Sequence, residues 1–146
     1  RPRLPRRREA AVKVLSLRQP WAHMVVHQGK NIENRKWNTR FRGEFLIHAA
    51  KGMTLAEYGD AVAFAANAVP SFVRRPIPEL RRGGIIGAAT LVDVIPPCGA
   101  ACTCGYRWHM PAQFGFVLAN VRALPFEPLV GSLGFFDHDL AALEAL

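Results

Sequence analysis

The densest run of chemically capable side chains lies between Gly29 and Lys51, where the chain reads GKNIENRKWNTRFRGEFLIHAAK. Lys30, Arg35, Lys36, Arg40, Arg42 and Lys51 supply cations, Glu33 a carboxylate and Trp37 an aromatic face. Glu33, Arg35 and Trp37 stand two apart, so on a strand they share one face. Such a set suits a polyanion that carries stackable bases. Arg35 presents a planar fork to phosphate, and Glu33 accepts from an exocyclic amine. A base stacked on Trp37 is worth about 1–3 kcal/mol, although the same ring serves equally as core. Lys30 contacts phosphate as an ammonium, or acts as a neutral amine where burial lowers its pKa. Strict alternation puts Lys30 on the opposite face, so its convergence with Glu33 and Arg35 requires a bend after Gly29. Arg40 and Arg42 are the next phosphate candidates, and Lys51 follows. His48, within LIHAA, reads as a half-buried core histidine or, in an enzyme, as a base beside Lys30 and Glu33.

The elements that must position these residues follow from local pattern. VKVLSL (12–17) is β-branched and bounded by polar residues, a strand signal. Pro20 suits a first helical turn, Trp21, Met24 and Val25 recur at helical spacing, and Gly29 supplies a left-handed stop that delivers Lys30. Residues 31–37 and 43–49 read as the second and third strands. Thr54 with Glu57 three residues on opens a helix over 54–69. The proline- and arginine-rich segment 70–82 and the segment 96–113 read as loops. Residues 84–95 and 114–124 read as strands, and 137–146 as a C-terminal helix capped at Asp137–His138–Asp139. The order β-α-β-β-α-β-β does not suit a doubly wound parallel sheet. It predicts an α+β fold: a small, mostly antiparallel β-barrel, closed so that no edge is exposed, with two main flanking helices and a short C-terminal helix.

A chain of 146 residues is long enough to bury a core without staples, and at 50% apolar and 21% charged it should fold. No run of 18 apolar residues is present, and the start, RPRLPRRREAAV, lacks an apolar signal region, so a cytoplasmic protein without a membrane partner is expected. The net charge is +8, but Arg1, Arg3, Arg6, Arg7 and Arg8 supply much of it. Residues 1–11 read as a basic, flexible tail, and residues 12–146 as one mildly basic domain. The tail is either a solvated arm or a set of additional phosphate contacts.

Cys98, Cys102, Cys104 and His109 form C-x3-C-x-C-x4-H, four soft ligands within one loop. The spacing is not that of a usual zinc pair followed by a distant second pair. Thiols in a reducing cytosol are usually free, so free thiols, no metal and no cofactor are expected, with zinc on Cys98, Cys102, Cys104 and His109 as the weaker alternative. No Walker loop, HExxH or Ser/His/Asp order is present.

LSLRQPWA (15–22), GKNIENRKW (29–37), RGEFLIHAAK (42–51), GIIGAATLVDV (84–94) and FGFVLANV (114–121) together resemble the ASCH domain, a member of the PUA-like superfamily. The resemblance spans roughly residues 12–136. The family motif G-x-K-x-x-[ET]-x-R is met by Gly29, Lys30, Glu33 and Arg35, except that Lys30 follows Gly29 directly. The resemblance implies a PUA-like β-barrel associated with RNA and modified nucleotides, and a cleft between barrel and first helix lined by the motif lysine, glutamate and arginine. Some small bacterial members hydrolyse N4-acetylcytidine with a threonine nucleophile three residues after the lysine. Glu33 occupies that position here, so this chemistry does not carry over at the nucleophile. Members of the glutamate type resemble nucleic-acid-binding domains, and a bacterial homologue has ribonuclease activity. The expectation is binding of RNA or single-stranded nucleic acid through Lys30, Glu33, Arg35, Trp37, Arg40, Arg42 and Lys51. The alternative is a metal-independent ribonuclease or amidohydrolase using Lys30, Glu33 and His48. A protein partner reading the same basic cleft is the third reading.

Overall fold

Val12–Leu17 becomes strand β1 because its alternate residues enter two different cores: Leu15 and Leu17 face one cluster and Val14 the other. A strand buried on both faces needs covering layers on both sides. The computed structural model, which describes residues 11–100 and 103–139, supplies them. After β1 come α1 (Trp21–His27), β2 (Ile32–Arg35), β3 (Gly43–Ala49), α2 (Leu55–Ala68), β4 (Gly84–Ile95), β5 (Phe114–Pro128) and β6 (Phe135–His138). A 3₁₀ turn at Ile77–Glu79 punctuates the segment before β4.

The strands form a six-stranded sheet in the order β2-β5-β4-β3-β1-β6. Every pairing is antiparallel except β1 with β3, which run parallel in register Ser16↔His48. Phe45, Ile47, Leu15, Leu17, Phe116 and Leu118 build the main core together with Ala22 and Val25 of α1. Helix α2 places Ala61 and Ala65 in a second cluster with Met24, Ile32, Trp108 and Val117. Thr54 caps α2, its Oγ accepting from the Glu57 amide at 3.1 Å, as the capping pattern predicts.

The fold is α+β and mostly antiparallel, but the sheet is open, which corrects the expected closed barrel. Its two edges, β2 and β6, are four residues each and share no ladder. Side chains span the gap instead. Trp37 meets Phe135 of β6 edge-on at 6.1 Å between ring centroids, and Arg35 Nη2 donates to the Ser16 carbonyl of β1 at 2.7 Å. Short edges of this kind also limit edge-to-edge pairing with other chains. Ser16 and Arg35, which meet across this gap, line the cleft described below.

A second correction concerns the C-terminus. Asp137 and His138, expected at the start of a helix, belong to β6 and pair with Lys13 and Val12. The alternation decides this: Phe135 packs on the main core and Phe136 on the cluster of Val14, Leu46, Ile85 and Ala88. Asp137 forms an ion pair with Lys13 at 2.8 Å rather than capping a helix. Residues 140–146 and the arginine-rich residues 1–10 lie outside the described residues. Among the described residues no helix is long and apolar enough to cross a membrane.

Candidate functional site

The end of α1 sets the geometry. Gly29 adopts φ 75°, a left-handed conformation open to glycine at little cost. The Met24 carbonyl accepts from the amides of both Gln28 (2.9 Å) and Lys30 (3.1 Å), so the chain doubles back at once. This is the bend that simple alternation lacks. It directs Lys30 inward: the residue is 2% exposed, and its Nζ donates to the Ile32 carbonyl and to Glu33 Oε2, the latter at 3.5 Å. The Trp21 ring lies beneath the ammonium, 5.1 Å from centroid to Nζ.

Glu33, itself buried, faces two cations, because Arg35 Nε donates to its Oε1 at 3.2 Å. Arg35 is further held by the Ser16 carbonyl and stands over Trp37, 5.8 Å from the ring centroid. Burial holds the Lys30 pKa below the ordinary lysine value; Glu33 opposes that shift and Arg35 adds to it. A buried amine of lowered pKa beside a specific charge partner is a frequent mark of functional sites.

These side chains line a recess of about 240 Å³ together with Ser16, Arg18, Trp21, Asn34 and Met110. Ser16, Arg18 and Arg35 also line an adjoining cavity of about 1030 Å³, walled by His48, Lys51, Arg82 and the segment 128–134. The alternation of β1 and β3 explains the composition of that wall. Ser16 and His48 are register partners on parallel strands, so both point to the same face of the sheet.

On that face Ser16 Oγ lies 2.8 Å from His48 Nδ1, and His48 Nε2 lies 2.6 Å from the Leu129 carbonyl. A carbonyl only accepts, so Nε2 carries a proton. In the neutral ring Nδ1 then accepts from the Ser16 hydroxyl. Gly131 closes over this pair so tightly that a Cβ would sit 2.7 Å from both His48 Cε1 and Ser16 Oγ.

The structure thus brings Lys30, Glu33 and Arg35 into one concavity, with His48 and Lys51 in the adjoining wall. It does not bring Arg40 and Arg42 there. Both are exposed and absent from either lining, and Arg42 Nη1 folds back onto the Thr39 and Phe41 carbonyls of its own turn. Trp37 is 36% exposed and packs edge-on against Phe116 and Phe135, so most of its ring closes the core. The cleft's cations are instead Arg18, Lys51 and Arg82, beside Arg35. Arg18 is held by Glu57 through bonds of 2.6 and 2.8 Å, and Arg82 Nη1 donates to the Lys51 carbonyl at 2.9 Å.

Sequence reasoning missed Ser16, Arg18, Arg82 and Gly131. Ser16 and Arg18 were within reach, since period-2 spacing along LSLR places both on the face opposite Leu15 and Leu17. Arg82 and Gly131 sit in segments whose path no local pattern specifies. Cys98, Cys104 and His109 gather at a separate point, on the connection between β4 and β5.

A family model described as ASCH domain matches residues 15–126 of this chain. No curated protein matches it.

Proposed function

The chain belongs to the ASCH domain family, and from that premise we propose that it binds single-stranded RNA in the joined recess and cavity. The observation that carries the reading is the convergence of a buried amine, a carboxylate and a guanidinium in a concavity that opens onto further cations. In this reading a base edge enters beside Trp21 and Met110, where Glu33 accepts from an exocyclic amine. The backbone then runs past Arg35, Lys51 and Arg82, whose charges meet successive phosphates. The family's association with RNA supports the same conclusion.

The test is fluorescence anisotropy with a labelled single-stranded RNA across salt concentrations. Each lost phosphate contact lowers the slope of log affinity against log salt by about 0.7 for a single strand. Lys51→Ala and Arg82→Ala are expected to show that loss, whereas Arg40→Ala and Arg42→Ala leave the slope unchanged. No binding at about 50 mM salt, or equal effects from all four substitutions, overturns the reading.

A second reading, hydrolysis of RNA or of a modified nucleoside, is favoured by two specific features. Lys30 is a buried amine of lowered pKa, and His48 is oriented by a carbonyl toward a serine hydroxyl. A base, an oriented hydroxyl and a cation are the parts that metal-independent hydrolysis requires. Incubation of labelled RNA, and separately of N4-acetylcytidine, in EDTA distinguishes the readings. Product that disappears with Lys30→Ala supports hydrolysis; intact substrate beside measurable binding excludes it.

A further inference from the structure

We propose that Cys98, Cys104 and His109 form a redox-gated zinc site that braces the wall of the cleft. The three donor atoms all lie within 4.8 Å of one another. His109 Nδ1 is 3.4 Å from Cys104 Sγ and 3.7 Å from Cys98 Sγ. With Zn–S near 2.3 Å and Zn–N near 2.0–2.1 Å, the N···S edge of a tetrahedral site is about 3.6 Å. The observed separations bracket that value, so the imidazole already stands at ligand spacing from both sulfurs.

The imidazole is prepared for this role by its second nitrogen. His109 Nε2 donates to the Gln113 carbonyl at 2.6 Å, which fixes the tautomer and leaves the Nδ1 lone pair toward the sulfurs. Ligating histidines nearly always make such a bond from the non-ligating nitrogen. Gly115 admits the ring closely: a Cβ there would stand 3.0 Å from His109 Cδ2. The Ala112 amide donates to the Cys98 carbonyl at 2.8 Å, holding the two ends of the loop together.

Cys98 is disulfide-bonded in this structure, and Cys104 is a free thiol. Metal uptake therefore begins with reduction. A phosphine reductant, with one water, passes two electrons and two protons to the disulfide and leaves as the phosphine oxide, so Cys98 and the sulfur bonded to it both become thiols. Zn²⁺ then displaces one proton from Cys98 and one from Cys104, and neutral His109 Nδ1 donates its lone pair. The fourth position is left to water or to a group from a bound molecule. Cys102 lies outside the described residues and is given no role.

The site reaches the cleft through two bonds to β2. Asn34 Nδ2 donates to the Trp108 carbonyl at 2.9 Å, and Asn34 Oδ1 accepts from the Met110 amide at 2.8 Å. Met110 lines the recess beside Glu33. A metal that fixes His109 thus fixes the adjacent Met110.

The experiment uses the full chain, stripped of metal and reduced with a phosphine under anaerobic conditions, with reduction confirmed by thiol titration. Cobalt(II) is titrated in, followed by competition with zinc. One equivalent of cobalt with tetrahedral bands and thiolate charge transfer, lost when zinc is added, is expected. Cys104→Ser and His109→Ala should each weaken uptake at least about tenfold, and unreduced protein should take up none. Circular dichroism checks that both variants fold, and the conservative serine carries the test if the alanine variant does not. Substoichiometric uptake by reduced protein, an octahedral cobalt spectrum, or uptake unaffected by Cys104→Ser overturns the proposal.

Discussion

Glu33→Gln removes one charge and almost no volume at the point where two cations meet. The carboxylate side chain is 9% exposed and that of Lys30 is 1% exposed. At separations of 3.5 and 3.2 Å, each pair is worth about 5 kcal/mol gross at an effective dielectric near 20, most of it offset by desolvation. Removing one partner of a buried pair costs about 3–5 kcal/mol because the other charge stays behind. Arg35 retains the Ser16 carbonyl and Lys30 the Ile32 carbonyl, so the expected loss lies near the lower end, about 3 kcal/mol, where Lys30 is protonated.

The pH dependence gives a second readout. The folded pKa of Lys30 is lowered by burial from its ordinary 10.5. Between the lowered value and the ordinary one the unfolded chain binds more protons, so stability rises with pH across that window. Loss of Glu33 lowers the folded value further. The penalty of Glu33→Gln should therefore be largest where Lys30 is protonated in both folded proteins and shrink as pH rises through its lowered folded value. Urea unfolding of both proteins across that range measures it, and Lys30→Met with Glu33→Gln should cost less than the sum of the two single changes. A penalty below about 0.5 kcal/mol at every pH, or one that grows with pH, refutes the electrostatic reasoning.

Further expectations concern the supports of the site. Thr54→Ala, which deletes the cap on α2, should destabilise by about 1 kcal/mol in urea unfolding. Phe116→Ala, in the main core and against Trp37, should cost about 3–5 kcal/mol, and a loss under about 1 kcal/mol would contradict the packing. Gly131→Ala should displace segment 129–134 and break the Ser16–His48 contact, visible as altered His48 ring resonances by NMR; unchanged resonances would show that the close approach is not real. The Glu57 carboxyl is held below its ordinary pKa chiefly by the Arg18 hydrogen bond. Its contribution to stability is therefore present above the usual carboxylate range and lost as pH falls through the lowered value. Glu57→Gln should accordingly flatten the acid side of the stability profile.

What the sequence disclosed was local. The left-handed stop at Gly29, the cap at Thr54 and the strand alternation of VKVLSL each follow from a few neighbouring residues, and each is in the fold. The missed features depend on distant contacts. Closure of the barrel turns on whether β2 and β6 meet, about 100 residues apart in the chain, and no local pattern encodes that pairing. FFDH resembled the approach to a helix because Asp–His–Asp suits a cap, whereas Phe135 and Phe136 are claimed by two different cores. For the site, the motif identified the trio at α1 and β2. The arginines beside it in sequence, Arg40 and Arg42, turned away, and Arg18 and Arg82, which share the cavity wall with Lys51, came from other segments. Proximity along the chain was a poor guide to proximity in the cleft.

The most direct measurement is an ¹H–¹⁵N correlation spectrum of the full chain titrated with a short single-stranded RNA at low salt. Shifts concentrated at Ser16, Arg18, Lys30, Glu33, Arg35, Lys51, Arg82 and Gly131, with Arg40 and Arg42 unmoved, are the predicted result. Shifts confined to the basic N-terminus or to residues outside the cleft, or no shifts at all, would contradict the account.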